Sequence, residues 1–426
     1  MKYATPLVLL FLVPVWAQKH PLETLIDAAH QRSPALKELL PANIHALKER
    51  GGAAVWGQDF LFAIEIETTP TVSVDRQASL SLTRVPGSNL WYRLTRLRAG
   101  VTHSYEFFSN GQPMSLMYSY DVAGYNLDSY PRAGVPRGTM SKKRTMVSKH
   151  YPDMTADHWV YASPGVDPSR PSPVMVWQDG EAMTGAKDLV RMRLAIVAEN
   201  LVDQKLIPPM IHVLISPGTG PAGAGGARAS MRGVQYSEVS DRYGRYLLEE
   251  ILPDVEKIYR LRKDGYSRAI GGLSAGGICA FNTAWHFPDQ FSRVYSHVGA
   301  FTAPARRPAE NSDGGHLYPF KVRREPRKNL RVWLSSGTYD YENDGGSFPL
   351  QNIQLANSLK LRGYDFHFRF GEAMHSGGQP SLDLPEILAW LWREYDPAKT
   401  HQEYQMEEAE KSKPVFRVQV ANRDSW

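Results

Sequence analysis

Hydrophobic residues in the second half of the chain follow two periods in turn, that of a buried strand and that of a helix. Residues 266–273 form a short run with a small apolar core, as in a strand that is buried on both faces. After this run, apolar side chains recur at helical spacing from Ile278 to Trp285, and Pro288 ends the pattern. Residues 173–178 form a similar strand-like run upstream. We therefore expect strands that lead through tight turns into helices.

Two further strand-like runs lie downstream, with a helical pattern between them. Residues 329–335 alternate apolar and polar side chains, and residues 365–370 place three phenylalanines on one face. Residues 350–359 repeat apolar side chains at helical spacing. Alternation of this kind is typical of a mostly parallel sheet with helices on both faces. The predicted fold class is α/β.

The first third of the chain has a different pattern. Residues 22–48 look helical, and residues 59–68 alternate as in a half-buried strand. Further strand-like runs, punctuated by Gly, Pro and Asn, occur near Leu80 and at 90–97 and 103–109. This pattern predicts a small β-sandwich-like module in front of the α/β domain.

We expect the chain to have four parts. Residues 1–17 are predicted to be a signal peptide, 18–150 a helical segment plus the β-sandwich-like module, 151–398 the α/β domain, and 399–426 a polar tail. The boundary between the second and third parts is placed within residues 130–157, which are rich in Pro, Gly and charge.

The amino terminus has the pattern of an export signal. Lys2 gives a positive start, residues 7–15 form an apolar stretch, and residues 15–17 form a small-residue cleavage pattern. The apolar stretch is too short to span a bilayer comfortably, although a retained anchor is the alternative. We expect cleavage after Ala17, export to the periplasm or the medium, and no membrane association afterwards.

Composition restricts the class of partner. The chain has 426 residues, enough for one large and one smaller domain, and its single cysteine, Cys279, excludes an intramolecular disulfide. A formal net charge of +5 is small for this length, so a nucleic-acid partner is not expected. No HExxH motif and no paired Cys/His spacing indicates a metal site, and no cofactor is expected.

One serine stands between glycines at the turn after residues 266–273. The sequence Gly272-Leu273-Ser274-Ala275-Gly276 has the G-x-S-x-G spacing of a nucleophile elbow. In such an elbow, the positions two before and two after the serine tolerate almost no side chain. Ser274 is therefore the candidate nucleophile. The alternative is a glycine-rich turn whose serine only caps the next helix.

A serine hydroxyl needs a neutral imidazole to take its proton and an acid to orient that imidazole. Asp340 follows the strand-like run 329–335, and His375 lies in the loop after 365–370. Both therefore fall past the carboxyl ends of predicted strands, where open α/β sheets build their sites. Asp340 is the preferred acid, and Glu342 and Asp344 in the same loop are the alternatives.

The loop after 173–178 is expected to complete an oxyanion hole. The candidate donors are the backbone N–H groups of Glu181 and Ala275, which would meet the developing negative charge without reorganisation. Asp179, Arg228 and Arg232 are candidate substrate-binding residues, and the two arginines could hold a carboxylate or a phenolate. A plain turn at Asp179 is the alternative.

Several segments together resemble the enterochelin-esterase-like branch of the α/β-hydrolases, which is related to the esterase D and feruloyl-esterase group, carbohydrate esterase family 1. The segments that carry the resemblance are 174–181 (VMVWQDGE), 236–253 (YSEVSDRYGRYLLEEILP), 269–281 (AIGGLSAGGICAF), 337–343 (GTYDYEN) and 370–375 in the catalytic half, and 56–65 (WGQDFLFAIE) and 87–92 (GSNLWY) upstream. The resemblance implies an α/β-hydrolase fold that follows the N-terminal module.

The resemblance also implies a reaction. Ser274 would be the nucleophile, His375 the base and Asp340 the orienting acid of a secreted serine esterase. Many relatives have glycine directly before the histidine, whereas this chain has Met374, which could narrow the substrate pocket. The expected substrates are feruloyl or acetyl esters of polysaccharides, with an enterochelin-type siderophore as the alternative. An acyltransferase and a non-catalytic carbohydrate-binding protein are two further alternatives.

Overall fold

The structure is a computed structural model, which describes residues 19–48, 51–114, 120–184, 192–222, 228–302 and 314–415. The predicted signal peptide, residues 1–17, lies outside the described residues, as does the end of the predicted tail, 416–426. Within the described residues, we find no helix with the length and apolarity that crossing a bilayer requires.

The described residues divide into two compact units. The N-terminal unit lies within Met1–Ala99, Tyr105–Tyr118 and Arg132–Gly134, and the C-terminal unit lies within Gly100–Ser104, Ser119–Pro131 and Val135–Trp426.

The N-terminal unit is rich in β-structure. Its helices are α1 Pro21–His30 and α2 Leu36–Lys48. Its strands are β1 Ala53–Trp56, β2 Asp59–Glu65, β3 Pro70–Val74, β4 Leu80–Ser81, β5 Thr83–Arg84, β6 Leu90–Arg96, β7 Thr102–Ser109 (from Tyr105 on) and β8 Gln112–Pro113. They form two antiparallel sheets, in the orders β1-β2-β6-β5 and β4-β3-β7-β8. 

The first helix of this unit is amphipathic, and the side chain of His20 caps its amino terminus. The imidazole Nδ1 of His20 accepts the N–H of Leu22 at 3.1 Å, which satisfies one of the free donors of the first turn. Leu25 and Ile26 on the apolar face pack with Leu61 of β2 in one buried cluster. The two helices thus cover one face of the first sheet.

The C-terminal unit is built on a large central sheet. The strands of this unit are β9 Tyr120–Ala123, β10 Thr139–Met140, β11 Arg144–Val147, β12 Thr155–Ala162, β13 Val174–Gln178, β14 Ile211–Ile215, β15 Thr219–Ala222, β16 Arg228–Ser230, β17 Arg268–Leu273, β18 Arg293–His297, β19 Arg331–Tyr339, β20 Glu342–Asn343, β21 Gly346–Ser347 and β22 Asp365–Met374. Its helices are α3 Leu194–Asp203, α4 Arg232–Ser237, α5 Arg242–Tyr246, α6 Leu252–Val255, α7 Ala275–His286, α8 Tyr318–Arg324, α9 Phe348–Leu361, α10 Gly378–Trp392 and α11 Glu408–Lys411.

The strand order of this sheet is β16-β15-β12-β14-β13-β17-β18-β19-β22. Neighbouring strands are parallel from β14 to β22, and the strands on the β12 side are antiparallel. The sheet is therefore mostly parallel, and the predicted α/β class is confirmed.

Helices cover both faces of the sheet because its strands alternate apolar side chains between the faces. Val176 of β13 packs in one buried cluster with Phe281 of α7, whereas its neighbour Trp177 packs in another cluster with Leu388 of α10. The strands β13, β17, β19 and β22 run in the same direction, so their carboxyl ends lie at one edge of the sheet. That edge carries the candidate site.

Candidate active site

Ser274 occupies the sharp turn between β17 and α7. Its backbone has φ 58° and ψ −121°, a conformation that L-residues rarely adopt. This conformation costs free energy and persists only where the surrounding structure holds it. Hydrogen bonds on both sides of the residue hold it: the Ser274 N–H donates to the carbonyl of His297 at 2.9 Å, and the Ser274 carbonyl accepts from the N–H groups of Gly277 at 2.9 Å, Ala300 at 3.1 Å and Ile278 at 3.2 Å. The strain at this serine is thus fixed by the strand next to it.

The elbow requires glycine at positions 272 and 276 because neighbouring atoms leave no room for a Cβ at either position. A Cβ at Gly272 would lie 2.6 Å from the carbonyl group of Gly276. A Cβ at Gly276 would lie 2.9 Å from the Cβ of Gln178 and 3.2 Å from Oδ2 of Asp179. The loop after β13 therefore packs directly against the first turn of α7.

Ser274, His375 and Asp340 are brought together although 101 positions separate the first two. The Nε2 atom of His375 lies 2.7 Å from Ser274 Oγ, and its Nδ1 lies 2.6 Å from Asp340 Oδ1. A carboxylate can only accept, so Nδ1–H donates to Asp340 and leaves Nε2 free to accept from the serine hydroxyl. The arrangement can move the serine proton onto the imidazole.

Asp340 is buried and held from several sides. Its side chain is 0% exposed, and the Ser336 hydroxyl donates to its Oδ2 at 3.2 Å. The backbone N–H of Tyr341 donates to its Oδ1 at 2.8 Å. The alternative acids Glu342 and Asp344 are exposed to solvent. The structure therefore brings Asp340, of the three, to the imidazole.

The loop that carries His375 is anchored by a carboxylate from far away in the chain. Asp121 in β9 accepts hydrogen bonds from the Ser376 hydroxyl and, at 3.1 Å, from the N–H of Gly378 at the start of α10. A Cβ at Gly378 would collide with the Asp121 carboxylate. Asp121 thus fixes the loop directly after His375.

The candidate oxyanion donors lie at two neighbouring backbone turns. Ala275 is the first residue of α7, and Glu181 lies in the short 3-10 turn Gly180–Met183 that follows β13. Within the described part of the chain, neither N–H donates to a protein acceptor. Both therefore remain available for a ligand oxygen.

The candidate substrate residues Asp179 and Arg232 are paired with each other. The guanidinium donates from Nε and Nη2 to the two carboxylate oxygens of Asp179, each at 2.8 Å, and Nη2 lies 3.4 Å from the carbonyl oxygen of Leu273. Asp179 has a positive φ of 55°, and its N–H donates to the Tyr236 hydroxyl at 3.3 Å. The pair thus ties the loop after β13 to the end of β17, directly before Ser274.

Arg228 lies elsewhere, in the edge strand β16. Its guanidinium donates to the carbonyl oxygens of Gly220 at 2.8 Å, Thr219 at 3.0 Å and Asp153 at 3.3 Å. Among the described residues, its hydrogen bonds go to these segments and none reaches the side chains of the Ser274 site. The structure therefore does not bring Arg228 together with the other candidates.

His297 is a second histidine at this edge, at the end of β18. It is fully buried, and its Nδ1 lies 2.8 Å from Ser335 Oγ. Burial, with a smaller contribution from the neighbouring His375, lowers the pKa of His297 to about 3. It is therefore neutral at ordinary pH and supports the elbow through its carbonyl.

Sequence reasoning missed four residues around Ser274, His375 and Asp340. They are Asp121, Ser336, Tyr341 and Phe348, which contact Asp340, His375 or the loop that bears His375. The positions of Tyr341 and Ser336, one and four residues from Asp340, are signals in the sequence, whereas the contacts of Asp121 and Phe348 depend on how distant segments pair.

Comparison with known proteins assigns this chain to a family. Residues 155–391, more than half of the chain, match the family described as "Putative esterase". This range includes Ser274, Asp340 and His375. The family resemblance predicted from the sequence is confirmed.

Solved structures that are similar to this one include several esterases. The enterobactin esterase of Shigella flexneri, solved with 2,3-di-hydroxy-N-benzoyl-glycine, has a TM-score of 0.56 and 16% identity, and the match covers 82% of this chain and 98% of that one. The ferric enterobactin esterase of Salmonella typhimurium has a TM-score of 0.53 and 14% identity over 82% of this chain and 98% of that one. A CE1 ferulic acid esterase of Anaeromyces mucronatus has a TM-score of 0.45 and 19% identity over 62% of this chain and 94% of that one.

The first two likenesses, which cover 82% of this chain, show that its fold includes an α/β-hydrolase domain. The match of residues 155–391 identifies this protein as a member of the "Putative esterase" family, and hence as a carboxylic ester hydrolase.

Proposed function

We propose that this protein is an exported serine esterase that cleaves its substrate through an acyl-Ser274 intermediate. The observation that carries the proposal is the hydrogen-bond chain from Ser274 through His375 to Asp340, with distances of 2.7 and 2.6 Å. Export rests on the pattern of residues 1–17 and is checked by amino-terminal sequencing of the mature protein.

Acylation begins at the Ser274 hydroxyl. Its oxygen attacks the ester carbonyl carbon while His375 Nε2 takes the proton, and Asp340 stabilises the imidazolium that forms. The N–H groups of Ala275 and Glu181 hold the oxyanion of the tetrahedral intermediate. When that intermediate collapses, the leaving alkoxide takes the proton from Nε2 and departs as the alcohol.

Deacylation repeats these steps with water. His375 Nε2 takes a proton from the water that attacks the acyl-Ser274 carbonyl, and the proton then passes to Ser274 Oγ as the acid leaves. Water and ester are the only reactants, and the protein returns to its starting protonation state.

The proposed substrates are feruloyl or acetyl esters of polysaccharides. Their support is the predicted export and the relation of the enterochelin-esterase-like branch, which the chain resembles, to carbohydrate esterase family 1. A second candidate is a catecholate siderophore ester, which is favoured because the likeness to the enterobactin esterases extends over 82% of this chain.

The test compares the mature protein with Ser274→Ala on methyl ferulate, acetylated xylan and a triscatecholate siderophore. We expect the variant to lose the preferred activity by a factor on the order of 10,000 or more, because the nucleophile is absent. Ser169→Ala is the matched control: this serine is exposed and, among the described residues, is hydrogen-bonded to Asp167 alone, so the variant should keep full activity.

The products separate the alternatives. Release of free acid in water supports hydrolysis, whereas an acyl group found on an added sugar alcohol identifies an acyltransferase. Binding of a substrate without turnover by the unaltered protein would identify a binding protein instead.

A further inference from the structure

Two aromatic rings enclose the imidazole of His375. The Tyr341 ring is stacked on it, with centroids 3.8 Å apart and planes inclined by 12°. The Phe348 ring meets it nearly at right angles, with centroids 5.2 Å apart and an interplanar angle of 86°. The two rings also contact each other, with centroids 5.9 Å apart. One face of the imidazole is therefore covered by a tyrosine.

The backbone of Tyr341 fixes the ring in this place. Its N–H donates to Asp340 Oδ1 at 2.8 Å, the same oxygen that lies 2.6 Å from His375 Nδ1. Its carbonyl accepts the N–H of Phe348 at 3.0 Å, at the start of α9. Tyr341 thus contacts both the acid and the base, one through its backbone and the other through its ring.

The contact favours one protonation state of the imidazole. An aromatic face carries negative electrostatic potential and attracts a cation within about 6 Å of its centroid. His375 is a cation only after it has taken a proton, which is the state that accompanies each tetrahedral intermediate. Interactions that strengthen toward the transition state accelerate the chemical step.

We propose that Tyr341 is a positioning residue that orients His375 and stabilises its imidazolium form through the face of the aromatic ring. This rests on the proposed serine-esterase function. Tyr341 acts through His375 and not on the substrate. The role requires the π face, and the phenol hydroxyl is not part of it.

Other charged and titratable groups face His375 and are left unchanged by the test. Among the described residues, they are Asp340 after β19, the buried neutral His297 at the end of β18 and, through the neighbouring Ser376, Asp121 in β9. A change at position 341 therefore isolates the ring.

The experiment replaces the ring in steps. Tyr341→Phe keeps the π face and should retain kcat and KM within about twofold. Tyr341→Leu keeps an apolar side chain without a π face, and we expect kcat to fall about 2- to 30-fold with little change in KM. The acid limb of the profile of kcat/KM against pH should move to lower pH by up to about one unit in Tyr341→Leu, since the imidazolium loses its stabilisation.

A series of fluorinated phenylalanines at position 341 keeps shape and folding almost constant. Each fluorine withdraws negative potential from the face, so kcat and the midpoint of the acid limb should both fall stepwise from Phe to trifluoro-Phe. This series gives a decisive result even where Tyr341→Leu does not fold.

Two results would overturn the proposal: no trend along the fluorinated series, or a loss in Tyr341→Phe as large as that in Tyr341→Leu. Reaction of the unaltered protein with a fluorophosphonate is measured first. Failure there would reject the serine mechanism itself and is thus distinguishable from failure of the role of Tyr341.

Discussion

An Arg–Asp pair lies at each end of the parallel strands, at the edge formed by their amino ends (the amino edge) and at the edge formed by their carboxyl ends (the carboxyl edge). The two pairs differ in burial and in the segments that they join. At the amino edge, Arg331 begins β19 and Asp365 begins β22, and the two residues are partners in the parallel register. Their side chains are 2% and 1% exposed, with Arg331 Nε 2.7 Å from Asp365 Oδ2. At the carboxyl edge, Arg232 and Asp179 are about one-third exposed.

The amino-edge pair belongs to a buried network of hydrogen bonds and ion pairs. Arg331 also donates to the carbonyl of Arg393 at 2.9 Å, and Arg393 donates to the other oxygen of Asp365 at 2.7 Å. Arg293, which begins β18, is fully buried, and burial lowers its pKa to about 10. These guanidinium groups hold their protons at ordinary pH, so the network can join strands but cannot transfer a proton.

The carboxyl edge differs because its central group is an imidazole. His375 has a 13% exposed side chain and lies between an acceptor carboxylate and a serine hydroxyl. A buried charge pair is therefore not a functional site in itself. A site needs a group that exchanges protons and a path to solvent, and the carboxyl edge has both.

The largest effect is expected at the acid. Asp340→Asn should lower kcat on the order of 10,000-fold, because the amide no longer selects the tautomer that leaves Nε2 free. Glu342→Gln, in the same loop but exposed, is the matched control and should keep kcat within about twofold. Steady-state kinetics on one aryl ester checks both. An equal loss in Glu342→Gln would move the role of the acid to Glu342.

The second-largest effect is expected for a substitution at the amino edge, which should lower the stability of the fold and leave catalysis unchanged. Arg331→Met leaves Asp365 with one fewer partner in a buried place, and should lower the free energy of unfolding by about 3–5 kcal/mol. The kcat/KM of the folded fraction should stay within about threefold. Urea unfolding followed by tryptophan fluorescence measures the first quantity.

The control for this variant is Arg245→Met. Arg245 makes an exposed ion pair with Asp241 one helical turn away, and its loss should cost less than about 1 kcal/mol. If Arg331→Met instead abolished catalysis without loss of stability, the contrast between the two edges would be wrong.

The smallest effect is expected for the carboxyl-edge pair, and it should fall on activity. Arg232→Met frees Asp179 and the turn that presents the Glu181 N–H, so we expect kcat to fall about 10- to 100-fold with little change in stability. Arg228→Met is the control, because that arginine is bonded to its own hairpin and should change kcat less than about twofold. A rise in KM without a change in kcat would instead assign Arg232 to substrate binding.

That Ser274, Asp340 and His375 lie close together could be predicted because their signals are local. Glycines mark the turn at Ser274, and Asp340 and His375 directly follow strands whose apolar residues the pattern reveals. The strands proved longer than the apolar runs: β19 continues to Tyr339 and β22 to Met374, because backbone pairing of Gly337 with Gly371 extends the ladder beyond the apolar side chains. Strand ends are therefore less readable than strand centres.

The supporting contacts could not be predicted because they depend on tertiary structure. Asp121 and Ser376 are 255 positions apart, and no periodicity joins them. The sequence marks Arg232 as a candidate for holding a substrate anion, and its ion pair with Asp179, 53 positions away, becomes visible only in the structure. Tyr341 stacks on His375 only because β19 and β22 bring their ends together in register.

The most direct test of the serine mechanism is the mass of the intact protein after reaction with a fluorophosphonate, followed by peptide mapping. We expect one covalent adduct, located on Ser274, which is absent in Ser274→Ala and forms slowly in Asp340→Asn. An adduct on another residue, or none on a protein that still hydrolyses esters, would show that Ser274 is not the nucleophile.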